Sequence, residues 1–252
     1  MEYSFKDMYS RSKVAVETDR YVIYQMLKSK LNFSGNYLLI KQMPEIVDEL
    51  EYYIASCYKF FKDAGINFIH IAIPEKKELS KKLKKYLKKD GYNEINFDLY
   101  HLKREEFVEQ NLSNYKIEFL QKKNNSEYLE FQYKIDSELG DNSWAIHNQE
   151  LLYENIRSEN ILQLIAKDND KIIGTMNVIM KTDFFEVDNL YVAKKYRRQG
   201  VAKHLLNYAV LNMRKENVVL VADSNDTPKY MYEKLGFKKI SKQDFYLKSN
   251  IN

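Results

Sequence analysis

The sequence predicts an α/β protein whose second half carries a mixed, mostly antiparallel central sheet flanked by helices. Three observations predict it. Three strand candidates follow one another at residues 161–167, 171–181 and 184–193. Asp168-Asn169-Asp170 and Thr182-Asp183 are turn sequences short enough to pair them antiparallel. Helical stripes and strands then alternate to the C-terminus, the pattern of an α/β layout.

The chain has 252 residues, enough for two domains of ordinary size. In the first half, residues 14–30 read as a helix and residues 36–41 as a short strand. Pro44 suits a first helical turn. Ile46, Leu50, Tyr53, Ile54, Cys57 and Phe61 recur at helical spacing until Gly65 stops the run. Residues 67–73 are β-branched and closed by Pro74. Residues 75–89 form a Lys-rich helix with Leu79, Leu83, Tyr86 and Leu87 on one stripe, and residues 92–102 are extended.

The charged run 103–110 separates an N-terminal α/β domain, residues 1–110, from a second domain, residues 111–252. The second opens with a strand at 115–121. Helices follow at 126–139 and 144–157, parted by the breaker Gly140-Asp141-Asn142. After the three strands come a helix at 199–216, a strand at 218–222, a short helix at 227–235 and an extended end at 237–247. Residues 67–102 repeat the order of residues 218–247: strand, helix, a Gly-aromatic pair, strand.

Composition narrows the function. Lys and Arg number 40 against 36 Asp and Glu, too balanced for a dedicated nucleic-acid binder. Cys57 is the single cysteine, so no internal disulfide forms, and the four scattered histidines lack metal-ligand spacing. No apolar run resembles a signal peptide or spans a bilayer. The expectation is a cytoplasmic protein with no metal, no membrane and no nucleic-acid partner.

The informative stretch is NLYVAKKYRRQGVA, residues 189–202. It leaves a strand and opens a helix. Arg197, Gly200 and Ala202 fit the spacing Gln/Arg-x-x-Gly-x-Gly/Ala. A helix start offers N–H groups with no internal partner and about half a positive charge. Small residues let a diphosphate reach them, and Arg197 and Arg198 add positive potential.

This stretch, with the Leu-Tyr-Val strand end before it, resembles the acetyl-CoA signature of the GCN5-related N-acetyltransferase (GNAT) family. A second block, NDTPKYMYEKLGF at residues 225–237, resembles the family's next one through Asn225, Tyr232, Gly236 and Phe237. The resemblance covers roughly residues 115–247. It implies the GNAT acyl-CoA N-acyltransferase fold, with the N-terminal half read as a degenerate domain of the same fold that completes the acceptor cleft or mediates homodimerisation.

The same resemblance implies acetyl-CoA as cosubstrate and a small-molecule or peptide amine as acceptor. Backbone amides of Arg198, Gln199, Gly200, Val201, Ala202 and Lys203 would bind the diphosphate, with Arg197 beside them. The strand end Leu190, Tyr191 and Val192 would pair with the pantetheine arm, and Asn225 would contact it. Tyr232 would protonate the departing thiolate. A phenol near ~10 is a weaker acid than a thiol near ~8.5, so that transfer must accompany C–S cleavage unless the site lowers the tyrosine.

Glu186 and Asp188 alternate with Val187 and share a strand face, so either can serve as general base. Trp144, His147 and Tyr153 lie where the family shapes its acceptor pocket. Two further readings stay open: a catalytically inactive CoA-binding or regulatory module, and a tandem aminoacyl-transferase-like protein acting on charged tRNA.

Overall fold

The computed structural model describes residues 2–109, 114–140, 142–249 and 251. The boundary expected between residues 110 and 111, and Asp141 of the expected breaker, lie outside the described residues. The chain forms two compact units. The first comprises residues up to Asp98, Asp223–Asn225 and the chain from Ser241 onward; the second comprises Leu99–Ala222 and Asp226–Ile240.

In the first unit, strands β1 (Lys13–Glu17), β2 (Tyr21–Gln25) and β3 (Tyr37–Ile40) lead into helix α1 (Val47–Ala64). Then come β4 (Phe68–Ala72), α2 (Lys81–Lys89) and β5 (Asn93–Lys103), whose second half counts with the second unit. β1 with β2 and β2 with β3 are antiparallel; β3 with β4 is parallel. Apolar residues of β2, β3 and β4 pack with Leu50, Tyr53, Cys57 and Phe61 of α1 and Leu83 and Leu87 of α2 in one core. Burial pushes the Cys57 thiol pKa up, so Cys57 is a packed core residue.

The helix expected at residues 14–30 is instead the β1–β2 hairpin. Thr18 closes its turn, Oγ1 accepting from the N–H groups of Arg20 at 3.2 Å and Tyr21 at 3.0 Å. β-branched Val14, Val16, Val22 and Ile23 favour the pleated form. α2 also starts later than expected. Ser80 caps it, Oγ accepting from Leu83 N–H at 3.4 Å, and so sets its first turn.

In the second unit, β6 (Lys116–Phe119) precedes helices α3 (Asn125–Leu139) and α4 (Asn142–Arg157). The antiparallel strands β7 (Ile161–Asp168), β8 (Lys171–Met180) and β9 (Phe184–Val192) follow. Then come α5 (Val201–Asn212), β10 (Asn217–Asp223), α6 (Lys229–Lys234) and β11 (Lys238–Ser249). β10 lies parallel to β9, and β6 antiparallel to β7. One core packs the sheet against α5 through Val187, Val192, Val201, Leu205 and Leu206. A second packs Tyr128 and Leu129 of α3 and Leu152 of α4 over Ile165 and Ile172 on the other face.

The series β1-β2-β3-α1-β4-α2-β5 has the same order as β7-β8-β9-α5-β10-α6-β11, with a parallel pair at the same place in each. Among the described residues the first unit shows no counterparts of α3 and α4. Its last strand is also not its own: β11 pairs antiparallel with β4, from Phe245 opposite Ala72 to Ser249 opposite Phe68. Residues 241–249 therefore count with the first unit, a division that the charged run in the sequence did not indicate.

Among the described residues no helix is long and apolar enough to cross a membrane. Among the described residues no group of three or more His, Cys, Asp or Glu side chains is placed to hold a metal ion.

Candidate acyl-transfer site

The site is built on β9. Tyr191 pairs with Thr175 of β8 and Asp188 pairs with Asn177, so β9 carries two residues, Asn189 and Leu190, opposite the single Met176. This is a β-bulge, and Asn189 takes the left-handed φ of 47° that it requires. The bulge shifts the alternation of faces. Val187 and Val192 point into the α5 core, while Tyr191 meets Phe131 of α3. Asp188, paired with Asn177, lies on that α3 side.

On its other edge β9 parts from β10. Their parallel ladder runs from Phe184–Asn217 to Val187–Leu220 and ends there, although β9 continues to Val192. The backbone beyond Val187 thus faces an opening in the sheet.

The chain then enters the glycine loop. Arg198 (φ 63°) and Gly200 (φ 82°) are both left-handed, which folds the loop tightly before α5. Gly200 is the N-cap of α5 and provides no side-chain cap, so the first-turn N–H groups keep no side-chain partner there. At Gly174 a Cβ would sit 3.0 Å from the Tyr191 carbonyl oxygen and 3.2 Å from Val201 Cγ1. The missing side chain lets the first turn of α5 close onto the strand end.

The side chains before Gly200 brace this loop. Arg197 Nε donates to the Val192 carbonyl at 3.0 Å, and its guanidinium lies 5.3 Å from the Tyr191 ring centre. Gln199 accepts from the Tyr115 hydroxyl at 2.6 Å and donates to the Lys195 carbonyl at 2.8 Å. Tyr196 donates to Asp168 at 2.9 Å.

Of the two carboxylates, Glu186 is buried and Asp188 exposed. Asp188 is exposed as a residue, while protein surrounds its carboxyl group. Burial raises its pKa, against the hydrogen bonds from Asn177 Nδ2 (3.2 Å) and the Asn189 backbone. Tyr232, on α6, is 7 % exposed, its ring 5.8 Å from Tyr100 and 5.9 Å from Phe237. Burial pushes its pKa up to about 12, with Asp226 and Tyr100 adding to the shift. The lowered tyrosine pKa considered from the sequence is not found.

Asn225 falls with Asp223 and Ser224 in the first unit, its N–H donating to Asp223 Oδ1 at 2.8 Å. Trp144 packs against Gly140, where a Cβ would lie 2.9 Å from its Cδ1. Tyr153 is exposed, and His147 Nε2 is buried without a hydrogen-bond partner.

Sequence reasoning missed a polar group on the α3 side: Tyr128, Gln132 and Asp136 of α3, Asn148 of α4, and Thr175 and Asn177 of β8. The signal available was the fourfold spacing of 128, 132 and 136, which puts them on one helical face.

Residues 134–248 match the Acetyltransferase (GNAT) domain family. Residues 3–100 match DUF5613, a domain of unknown function. A conserved protein of unknown function from Staphylococcus epidermidis ATCC 12228 shares the fold with a TM-score of 0.88 at 23% identity, over 99% of this chain and 98% of its own. A GCN5-related N-acetyltransferase from Sphaerobacter thermophilus does so with a TM-score of 0.65 at 10% identity, over 94% and 83%. A tandem GNAT protein from the clavulanic acid biosynthesis pathway gives 0.53 at 10% identity, over 86% and 76%. The chain thus joins a region that matches DUF5613 to a C-terminal region, residues 134–248, that matches the GNAT acetyltransferase domain.

Proposed function

We propose that the second unit is an acetyl-CoA-dependent N-acetyltransferase that acts on a primary amine by direct attack in a ternary complex. The observation that carries this reading is the early end of the β9–β10 ladder at Val187–Leu220. It leaves the strand end 188–192 open on the segment that runs into the uncapped start of α5.

In this reading the open backbone of Leu190, Tyr191 and Val192 takes the amide groups of a pantetheine arm. The amides from Arg198 to Lys203 take the diphosphate, favoured by the helix start. Arg197 holds the loop to the strand through the Val192 carbonyl. Acetyl-CoA supplies the thioester.

Asp188 accepts a proton from the acceptor ammonium, directly or through water, and the free nitrogen attacks the carbonyl carbon. Glu186, on the same strand and buried, is the second carboxylate available. As the C–S bond breaks, the Tyr232 hydroxyl donates to the leaving sulfur, and the proton that the acylated nitrogen then sheds restores the phenol. A proton moving from a phenol at about 12 to a thiolate near ~8.5 climbs about 5 kcal/mol if it moves alone. Donation must therefore be concerted with cleavage.

Calorimetric titration with acetyl-CoA, on wild type and Gly200→Glu in parallel, tests the reading. Micromolar binding that the variant loses supports it, provided both proteins melt cooperatively. Absence of binding to wild type favours the alternative, a regulatory module with the fold and no turnover.

A further inference from the structure

The charged run after β5 lines a cleft of the second unit. Lys103 and Arg104 meet Arg214 and Lys215, which follow α5, around one open cavity of about 840 Å³. Asn217 lines the same cavity and pairs with Phe184 at the start of β9. The glycine loop leaves the other end of that strand, beyond Val192. At the rise of an extended chain the two ends are roughly 26 Å apart. The cleft is therefore separate from the candidate acyl-transfer site.

Two of its four cations are held in place. Arg104 N–H donates to the Glu216 carbonyl at 2.7 Å, and Arg104 Nη2 donates to the Leu211 carbonyl at 3.0 Å. Lys215 Nζ donates to the Thr182 carbonyl at 2.6 Å. Both residues are half-buried. The bond to Leu211 also suits the negative end of α5. Each of these side chains spends one donor on its carbonyl, and a guanidinium or ammonium carries several. Lys103 and Arg214 are exposed.

Glu105 and Glu216 line the same cleft, yet among the described residues none of the four cations forms an ion pair. Like charges gathered without a countercharge in contact repel one another, and an anion seated among them removes that cost. The space between them is of the size that small molecules occupy.

We propose that this cleft binds a small anion of the phosphate class carrying two or more negative charges. Two guanidiniums present paired N–H donors that match phosphate oxygens, and two ammonium groups add point charge. The exposed Glu105 and Glu216 disfavour a long polyanion, which would lay its own charges across them. The near balance of 40 Lys and Arg against 36 Asp and Glu points the same way. The proposal stands independently of the acyl-transfer reading.

Calorimetry on the full chain with tripolyphosphate tests it. The proteins are wild type, Gly200→Glu, and the double variant Lys103→Ser with Arg214→Ser, which alters only exposed side chains. Thermal melts check that each is folded, and the two single substitutions replace the double variant if it does not melt cooperatively. Wild type and Gly200→Glu should bind one anion with affinities within about twofold. The double variant should bind at least about tenfold more weakly, and each single variant more weakly than wild type. Absence of binding to wild type overturns the proposal, as does an affinity unchanged by the Lys103 and Arg214 substitutions. Weakening by Gly200→Glu overturns it too, because the anion then sits at the glycine loop. An oligoglutamate peptide or a single-stranded oligonucleotide that binds more tightly than tripolyphosphate overturns the assignment to a small phosphate-class anion.

Discussion

Asn177 stands opposite Asp188 at the last regular pair before the β9 bulge, and its side-chain amide donates to the Asp188 carboxylate at 3.2 Å. This bond favours the charged form of a carboxyl whose pKa burial raises. A general base must be ionised to work, so turnover should rise with pH through the raised Asp188 pKa. Asn177→Ala removes the bond and should move that acidic limb to higher pH. Asp188→Asn should abolish the limb and lower turnover by about 10²–10⁴. The pH profile of kcat/KM checks both, and a limb unmoved in both variants would assign the base elsewhere.

Tyr232→Phe should reduce turnover about ten- to a thousandfold with little change in CoA affinity, because it removes one proton donor and leaves the packing. With the phenol pKa pushed up to about 12, Tyr232 stays protonated across the working range. Wild type should therefore show no basic limb due to this residue below about pH 11. Stopped-flow detection of released thiol, beside CoA titration, measures both halves of the prediction.

Asp136→Asn should stabilise the ligand-free protein at neutral pH. The folded pKa of Asp136 is raised, so from the unfolded value near ~3.9 upward the native state holds the extra proton. Stability therefore falls as pH climbs through the interval between the unfolded and folded values. Above it the buried charge costs its full amount. Asparagine can still accept from Asn148 without a charge, a gain on the order of 1 kcal/mol or more. Urea melts of both proteins at several pH values should show curves that converge toward acid.

Gly236→Ala should be among the most damaging small substitutions. Gly236 has φ 98°, and a Cβ would lie 2.5 Å from the Glu106 carbonyl oxygen. The neighbouring bond from Val108 N–H to the Leu235 carbonyl, 3.1 Å, holds that backbone close. Strain and overlap together should cost about 2–4 kcal/mol. A thermal melt unchanged from wild type would show that the segment gives way freely.

The second unit was largely legible in the sequence because its signals are local. Turn residues set the β7–β8 and β8–β9 hairpins, and Gly200 marked the helix start. The β1–β2 hairpin was not read from the sequence, because Thr18 turns the chain without a glycine to mark it. The bulge at Asn189 was hidden as well, since only the pairing with Thr175 and Asn177 reveals the additional residue. Asp136 and Gln132 looked like ordinary polar positions on a surface helix. Their burial depends on how α3 and α4 settle on β8, which no local pattern encodes. The carboxylate pair Glu186 and Asp188 was visible, but its division into one buried and one exposed residue was not.

The pairing of β11 with β4 has a consequence for the order in which the protein matures. Chains emerge N-terminus first, and early domains ordinarily fold while later ones are still being made. Here the early unit waits for residues 241–249, so its β4 edge stays unsatisfied until that strand has been synthesised. During that interval an unpaired strand is exposed to other nascent chains. Lys248, near the end of the late-arriving strand, forms a 3.0 Å ion pair with Asp90, fastening the strand once it docks. Loss of the final strand should therefore be felt first at the opposite end of the sequence, in a unit whose other elements are intact.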